Sequence, residues 1–253
     1  MKVISAETRE EAWLEAVQHL EAEAEHNIEY NLILEIKKPG ATSERSRNIR
    51  REFDTFLTNH DLYSVQTVAD TIFPAALYKK YGTDGIYKIY PNEIYPQLRH
   101  VKANQRGTYA LRLVQGKKED GEAFNPLAYV VDRIRRMIET NGARCANEIS
   151  LDECQTIPIN RNDASLYAFP CLSHLSFKLS HDRSEVHLTA IYRSQFFIEK
   201  AMGNLLGLAR LQDFVCREVG VEMGTLVCHA TYATLDHTGK VRDFRKLLSS
   251  LKG

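Results

Sequence analysis

From Phe196 to Val219 the chain is apolar on nearly every face of a helix: Phe196, Ile198, Met202, Leu205, Leu206, Leu208, Leu211, Phe214 and Val215 surround the axis instead of forming one stripe. On a protein surface, part of such a helix would always face water. Other elements must therefore wrap it, and 253 residues are enough to do so.

The wrapping elements can be read from periodicity. CLSHLSFKL (171–179) and EVHLTAIYR (185–193) alternate as two antiparallel strands joined by the polar turn SHDRS. Simple alternation places Cys171 on one face with Ser173, Leu175, Phe177 and Leu179, and Arg193 with His187, Thr189 and Ile191. GTLVCHATYATL (224–235) and YNLILEI (30–36) predict further strands, and GTYALRLV (107–114) a short one. Thr8 and Glu11 form a capping box ahead of an amphipathic helix of about 16 residues. TSERSRNIRREFDTFL (42–57) predicts a second helix with a basic first half. NPLAYVVDRIRRMIE (125–139) predicts a third, with Pro126 in its first turn and Leu127, Val130, Val131, Ile134 and Ile138 on one face. Residues 60–105 read as short helices and loops, and RKLLSSLKG as a surface helix or tail. The fold class is α+β (α/β), with a mostly antiparallel or mixed sheet on a long buried helix.

The 33 basic and 33 acidic residues cancel, so no global field draws the chain to nucleic acid or an acidic membrane, and an anionic ligand must be held by a local arginine group. The five cysteines lack CxxC spacing and read as reduced thiols of a cytoplasmic protein. No run is long and apolar enough for a membrane span, and the charged start MKVISAETREEAW is unlike a signal peptide. His174, His187 and His229 share no metal-ligand spacing, so no metal is expected. Cys228 and His229 are adjacent in a strand and point to opposite faces.

Taken in order, FPCLSHLSF, AIYRSQFFIEKAMGNLLGLARL and GTLVCHATY, preceded by GTYALRL and NPLAYVVDRIRR, resemble the thymidylate synthase family. The likeness begins at Gly107, with a weaker echo at REFDTFL. It implies one thymidylate-synthase-like domain over 1–253, divergent over 1–105 and recognisable over 106–253, that dimerises through its sheet face. By resemblance, Cys171 matches the nucleophile, Tyr109 an active-site tyrosine and Glu52 the general acid/base. Arg193 and Ser194 match the phosphate-binding pair, Asn204 the amide that reads the pyrimidine edge, and Arg144 the phosphate-binding arginine supplied by the partner subunit.

The implied function is transfer of a methyl or hydroxymethyl group to C5 of a pyrimidine nucleotide monophosphate through a Cys171 adduct at C6, in a homodimer, with 5,10-methylenetetrahydrofolate as donor. The chemistry suits these residues. A thiolate adds to C6 and makes C5 nucleophilic. A neighbouring guanidinium raises the thiolate fraction of a thiol whose ordinary pKa is about 8.5. The sequence departs from the family at Leu172 and Ser176, at Phe196 where the family has the pterin-reading aspartate, and at Thr234 and Asp236 where it has the sugar-binding His-x-Tyr pair. These departures keep open an alternative: a nucleotide-binding protein with regulatory or non-folate chemistry.

Overall fold

The computed structural model describes residues 1–118, 120–140, 147–151 and 170–251. The N-terminal part contains β1 (Lys2–Ala6), α1 (Arg9–Ala22), β2 (Ile28–Ile36) and α2 (Glu44–Asn59). α3 (Val65–Asp70), α4 (Ala75–Asp84), a π-helical stretch (Gly85–Ile94), α5 (Tyr95–Leu98) and α6 (Tyr109–Val114) follow. Next come a two-stranded ribbon of β3 (Gly116–Lys117) and β4 (Ala123–Phe124), then α7 (Pro126–Glu139). The C-terminal part has β5 (Glu148–Ser150), β6 (Leu172–Leu179), β7 (Glu185–Tyr192), β8 (Gln195–Phe196), α8 (Ala201–Val219), β9 (Glu222–Thr234) and α9 (Val241–Ser250).

Strand order is β1-β2-β9-β7-β6-β5, and β8 continues alongside β9 beyond the end of β7. β1–β2, β9–β7 and β8–β9 are parallel, whereas β2–β9, β7–β6 and β6–β5 are antiparallel. The sheet is thus mixed, one of the two arrangements that the sequence suggested. The parallel pair β7 and β9 is joined through α8, a crossover that returns the chain in the same direction.

One sheet face is core. Leu32, Leu34 and Ile36, then Leu226, Cys228 and Ala230, then Val186, Leu188 and Ala190, then Leu175, Phe177 and Leu179 are all buried on it. α8 lies against this face, with α1, α3 and α7 around its other sides. The helix is pinned by a buried amide: Gln212 donates to Val186 O (2.8 Å) and Gly224 O (2.9 Å), beside the register shift between β7 and β9. It ends at Gly220, whose φ of 76° is left-handed and suits glycine. The opposite sheet face, including Thr189, Ile191, Val227 and His229, is only partly covered.

The buried helix, α7 and the β6–β7 pair form where periodicity placed them, and Thr8 with Glu11 makes the capping box. Three expectations need correction. Residues 109–114 are a helix, because the Thr108 hydroxyl accepts from Leu111 N (3.2 Å) and caps a six-residue turn. The buried helix begins at Ala201, and Phe196 lies in β8 with 47% of its surface exposed. A register shift between Leu172 and His174 breaks the alternation of β6, so Leu172, not Cys171, joins Leu175 and Phe177 in the core. No helix among the described residues is long and apolar enough to cross a membrane.

Candidate active site

The start of β6, the ends of β7 and β9, and the start of α6 meet at one end of the sheet. Leu172 is the register partner of Tyr192, and Arg193 N donates to Cys171 O (2.9 Å). Cys171 and Arg193 are therefore fixed to each other by main chain. Arg193 Nε also donates to Pro170 O (3.2 Å), which orients the guanidinium beside the cysteine. Thr231 Oγ1 donates to Arg193 O (2.9 Å), tying the same point to β9.

Tyr109 arrives from α6. Its hydroxyl oxygen accepts from Leu172 N (3.4 Å), which leaves its proton available to another acceptor. Burial pushes this phenol up to about 12, and the neighbouring Cys171 acts in the same direction, while main-chain N–H groups and Arg193 oppose. Tyr109 is therefore a neutral donor across the working pH range. Residues 60–105 buttress it: Tyr90 OH and Thr108 Oγ1 share a buried hydrogen bond (2.6 Å), and Ala110 N donates to Thr71 O (2.8 Å).

Of the described cysteines, Cys216 and Cys228 are buried, and burial raises each thiol to about 12. Cys171 is only partly buried, so it is the described thiol best placed to meet a ligand. Asn204 lies in the first turn of α8, 5% exposed, and its side-chain amide makes no hydrogen bond among the described residues; nor does the Ser194 hydroxyl. The intervening segment is rigidly held. Trp13 Nε1 donates to Phe197 O (2.7 Å), and Asp236 accepts from Ile198 N (2.8 Å) and Glu199 N (3.0 Å). Burial raises the Asp236 carboxyl above the usual range, opposed by those N–H groups.

The structure brings Cys171, Tyr109 and Arg193 together. Glu52 stands on α2 with its carboxylate on Arg51 (3.1 Å), and its described contacts do not include Cys171. Arg144 lies outside the described residues. Phe196 is exposed in β8, Lys200 N donates to its carbonyl (3.2 Å), and the Lys200 ammonium sits 5.3 Å from the Tyr63 ring centre. Among the described residues no group of three or more His, Cys, Asp or Glu could hold a metal ion.

Sequence reasoning passed over Asp236 as a main-chain anchor, and it passed over Tyr192 and Gln195. Both are buried, and among the described residues Tyr192 OH and Gln195 Nε2 lack partners. The signal for Tyr192 was present, since it continues the buried stripe Val186, Leu188, Ala190 and ends it with a hydroxyl.

No family model matches the chain. A curated protein of Methanococcoides burtonii named "Putative thymidylate synthase" is 28% identical over 173 residues, covering 65% of this chain and 74% of the relative. One of the same name from Methanosarcina mazei is 24% identical over 185 residues, 73% of each chain. A third, from Methanopyrus kandleri, is 31% identical over 107 residues, 42% of this chain and 47% of its own. The chain is similar to archaeal proteins bearing the thymidylate synthase name.

Proposed function

We propose that this protein transfers a one-carbon group, methyl or hydroxymethyl, to C5 of a pyrimidine nucleotide monophosphate through a covalent adduct between Cys171 and C6. The observation that carries this reading is the main-chain coupling of Cys171 to Arg193 beside the Tyr109 phenol. It is supported by an Asn204 amide with no partner among the described residues.

In this reading Arg193 and Ser194 take the nucleotide phosphate, with Arg144 of a second copy completing the clamp in a homodimer formed across the partly covered sheet face. A bound phosphate fixes C6 relative to sulfur, which is the positioning part of catalysis. Asn204 reads the base edge, since an amide both donates and accepts. The Cys171 thiolate adds to C6, and the electron pair of the C5–C6 bond passes into an enolate whose oxygen is met by neutral donors such as Tyr109. C5 then attacks the one-carbon electrophile, its hydrogen leaves as a proton, and the thiolate is expelled from C6. Glu52 is the proposed acid/base, reaching the base once its contact with Arg51 is exchanged.

Methylenetetrahydrofolate is the donor to test first, but the donor side does not fit it in the family manner. Phe196 offers an exposed phenyl face where a carboxylate would accept from a pterin, so no step is routed through folate here. This residue favours a second reading, addition and exchange chemistry that needs no folate.

The first half-reaction can be tested without any donor. Reversible addition at C6 exchanges the C5 hydrogen with solvent. Proton NMR of uridylate, deoxyuridylate, cytidylate and deoxycytidylate in D2O with the protein is expected to show loss of H5 for one of them. Retention of H5 in all four would contradict the proposed chemistry.

A further inference from the structure

The sheet is irregular along one line, and that line runs through the candidate site. Leu172, Tyr192 and Ala230 are register partners on β6, β7 and β9, and all are buried. Beside each stand two consecutive half-buried residues: Ser173 and His174 on β6, Arg193 and Ser194 after β7, Thr231 and Tyr232 on β9. Burial resumes at Leu175, Gln195 and Ala233. A regular strand alternates, so half-buried neighbours mark a local break in the pleat. The ladders fail at the same places. β6 and β7 shift register between Leu172 and His174, β7 stops pairing with β9 at Tyr192–Ala230, and β8 resumes at Gln195–Ala233. On the other side of β9, pairing with β2 passes over Asn31 and Thr231, and Asn31 has a left-handed φ of 58°.

A broken ladder leaves main-chain carbonyls that other donors must satisfy. Side-chain hydroxyls supply them from either side of β7. Thr231 Oγ1 lies 2.9 Å from Arg193 O and 3.3 Å from Tyr192 O, so its proton is shared between the carbonyls of consecutive residues. From β6, Ser173 Oγ donates to Ile191 O (3.0 Å). The end of β7 is thus held by both neighbouring strands, at the point where Arg193 N donates to Cys171 O (2.9 Å). The break also leaves Arg193 and Ser194 half-buried in succession, where a regular strand would bury one of them.

We propose that Thr231 is a positioning residue for the phosphate-binding end of the site: its hydroxyl stands in for the missing ladder bonds and fixes the Arg193 main chain, with Ser173 bracing the same strand end from β6. The inference rests on the reading of Arg193 and Ser194 as the phosphate pair. A bulge that re-aims successive side chains lets both meet one anion.

Thr231→Val keeps the shape of the side chain and removes the hydroxyl, and Thr231→Ser restores it. Amide hydrogen exchange read by NMR is expected to quicken about five- to tenfold at Arg193 in Thr231→Val, with Val186 and Leu188 unchanged. Calorimetry is run with uridylate, deoxyuridylate, cytidylate, deoxycytidylate and their nucleosides. The nucleotide that the wild type binds best is expected to bind about three- to tenfold more weakly, its nucleoside to change by less than about twofold, and Thr231→Ser to recover both readouts. Ser173→Ala is expected to act in the same direction and takes the place of Thr231→Val if that variant does not fold. Unchanged exchange at Arg193 in a folded variant, or equal weakening of nucleotide and nucleoside, would overturn the proposal, the latter because it marks Thr231 as packing alone. A wild type that binds none of the four nucleotides would overturn it as well. Loss of H5 with the wild type, together with unchanged Arg193 exchange in Thr231→Val, would sink the role of Thr231 and leave the proposed function standing. Retention of H5 with faster Arg193 exchange and weakening confined to the nucleotide would do the reverse.

Discussion

Replacing Cys171 by alanine is expected to abolish exchange of the nucleotide C5 hydrogen, with turnover reduced by about 10⁴-fold or more, while nucleotide binding stays within about threefold of wild type. The separation follows from how the site is built. Among its described contacts, Arg193 donates its main-chain N–H to Cys171 O and its Nε to Pro170 O, and neither of these bonds uses the thiol. Removing the sulfur leaves the guanidinium where it was. Neither Cys216 nor Cys228 can take over, since burial holds both as protonated thiols at neutral pH. Calorimetry with the nucleotide that exchanges checks the binding half, and NMR the chemical half. Parallel loss of binding and exchange would mean that the cysteine is part of the packing and not the reacting group.

Gly203→Ala is expected to destabilise the fold by about 1–3 kcal/mol, although alanine is the better helix former by about 1 kcal/mol. α3 crosses α8 where Gly203 and Gly207 leave its surface bare. A Cβ at Gly203 would lie 2.4 Å from Val68 Cβ and 3.0 Å from Val65 O, and one at Gly207 would lie 2.8 Å from Ala69 O. The obstacle at Gly203 is a β-branched carbon near the backbone, which no rotamer change removes. α3 must therefore retreat. Asn204 is the next residue on α8, so the same change is expected to weaken nucleotide binding as well. Urea unfolding of Gly203→Ala, Val68→Ala and the double variant checks the origin of the loss. Recovery of stability in the double variant, relative to the sum of the singles, is the expected coupling. Additive losses would show that the close approach of the two helices is not its cause.

The sequence made α8, α7 and the β6–β7 pair legible because each has a long, strongly periodic apolar pattern. Three features of the site were hidden for particular reasons. TYALRLV is a short apolar run that suits a strand or a helix, and the arbiter was one capping hydroxyl, Thr108. The face of Cys171 depended on a register shift at the start of β6, and a single bulge reverses every parity argument upstream of it. Phe196 reads as core by composition, yet it stands exposed between buried Gln195 and Phe197 because the chain is extended there. Cys171, Arg193, Ser194 and Asn204 could be named through their likeness to a family in one order along the chain. The burial of Tyr192 was legible too, as the end of the β7 stripe, but only three-dimensional packing reveals that its hydroxyl has no partner among the described residues.

The proposal that Cys171 adds to a pyrimidine is tested most directly by trapping the adduct. The full chain is incubated with 5-fluoro derivatives of uridylate and cytidylate, in ribose and deoxyribose forms, with and without methylenetetrahydrofolate. Intact mass and peptide mapping then locate any modification. The expected result is a nucleotide-sized mass increase on the peptide that contains Cys171, absent from Cys171→Ala. An unmodified Cys171 with every one of these nucleotides at saturating concentration, or an adduct carried by another residue, would contradict the proposal.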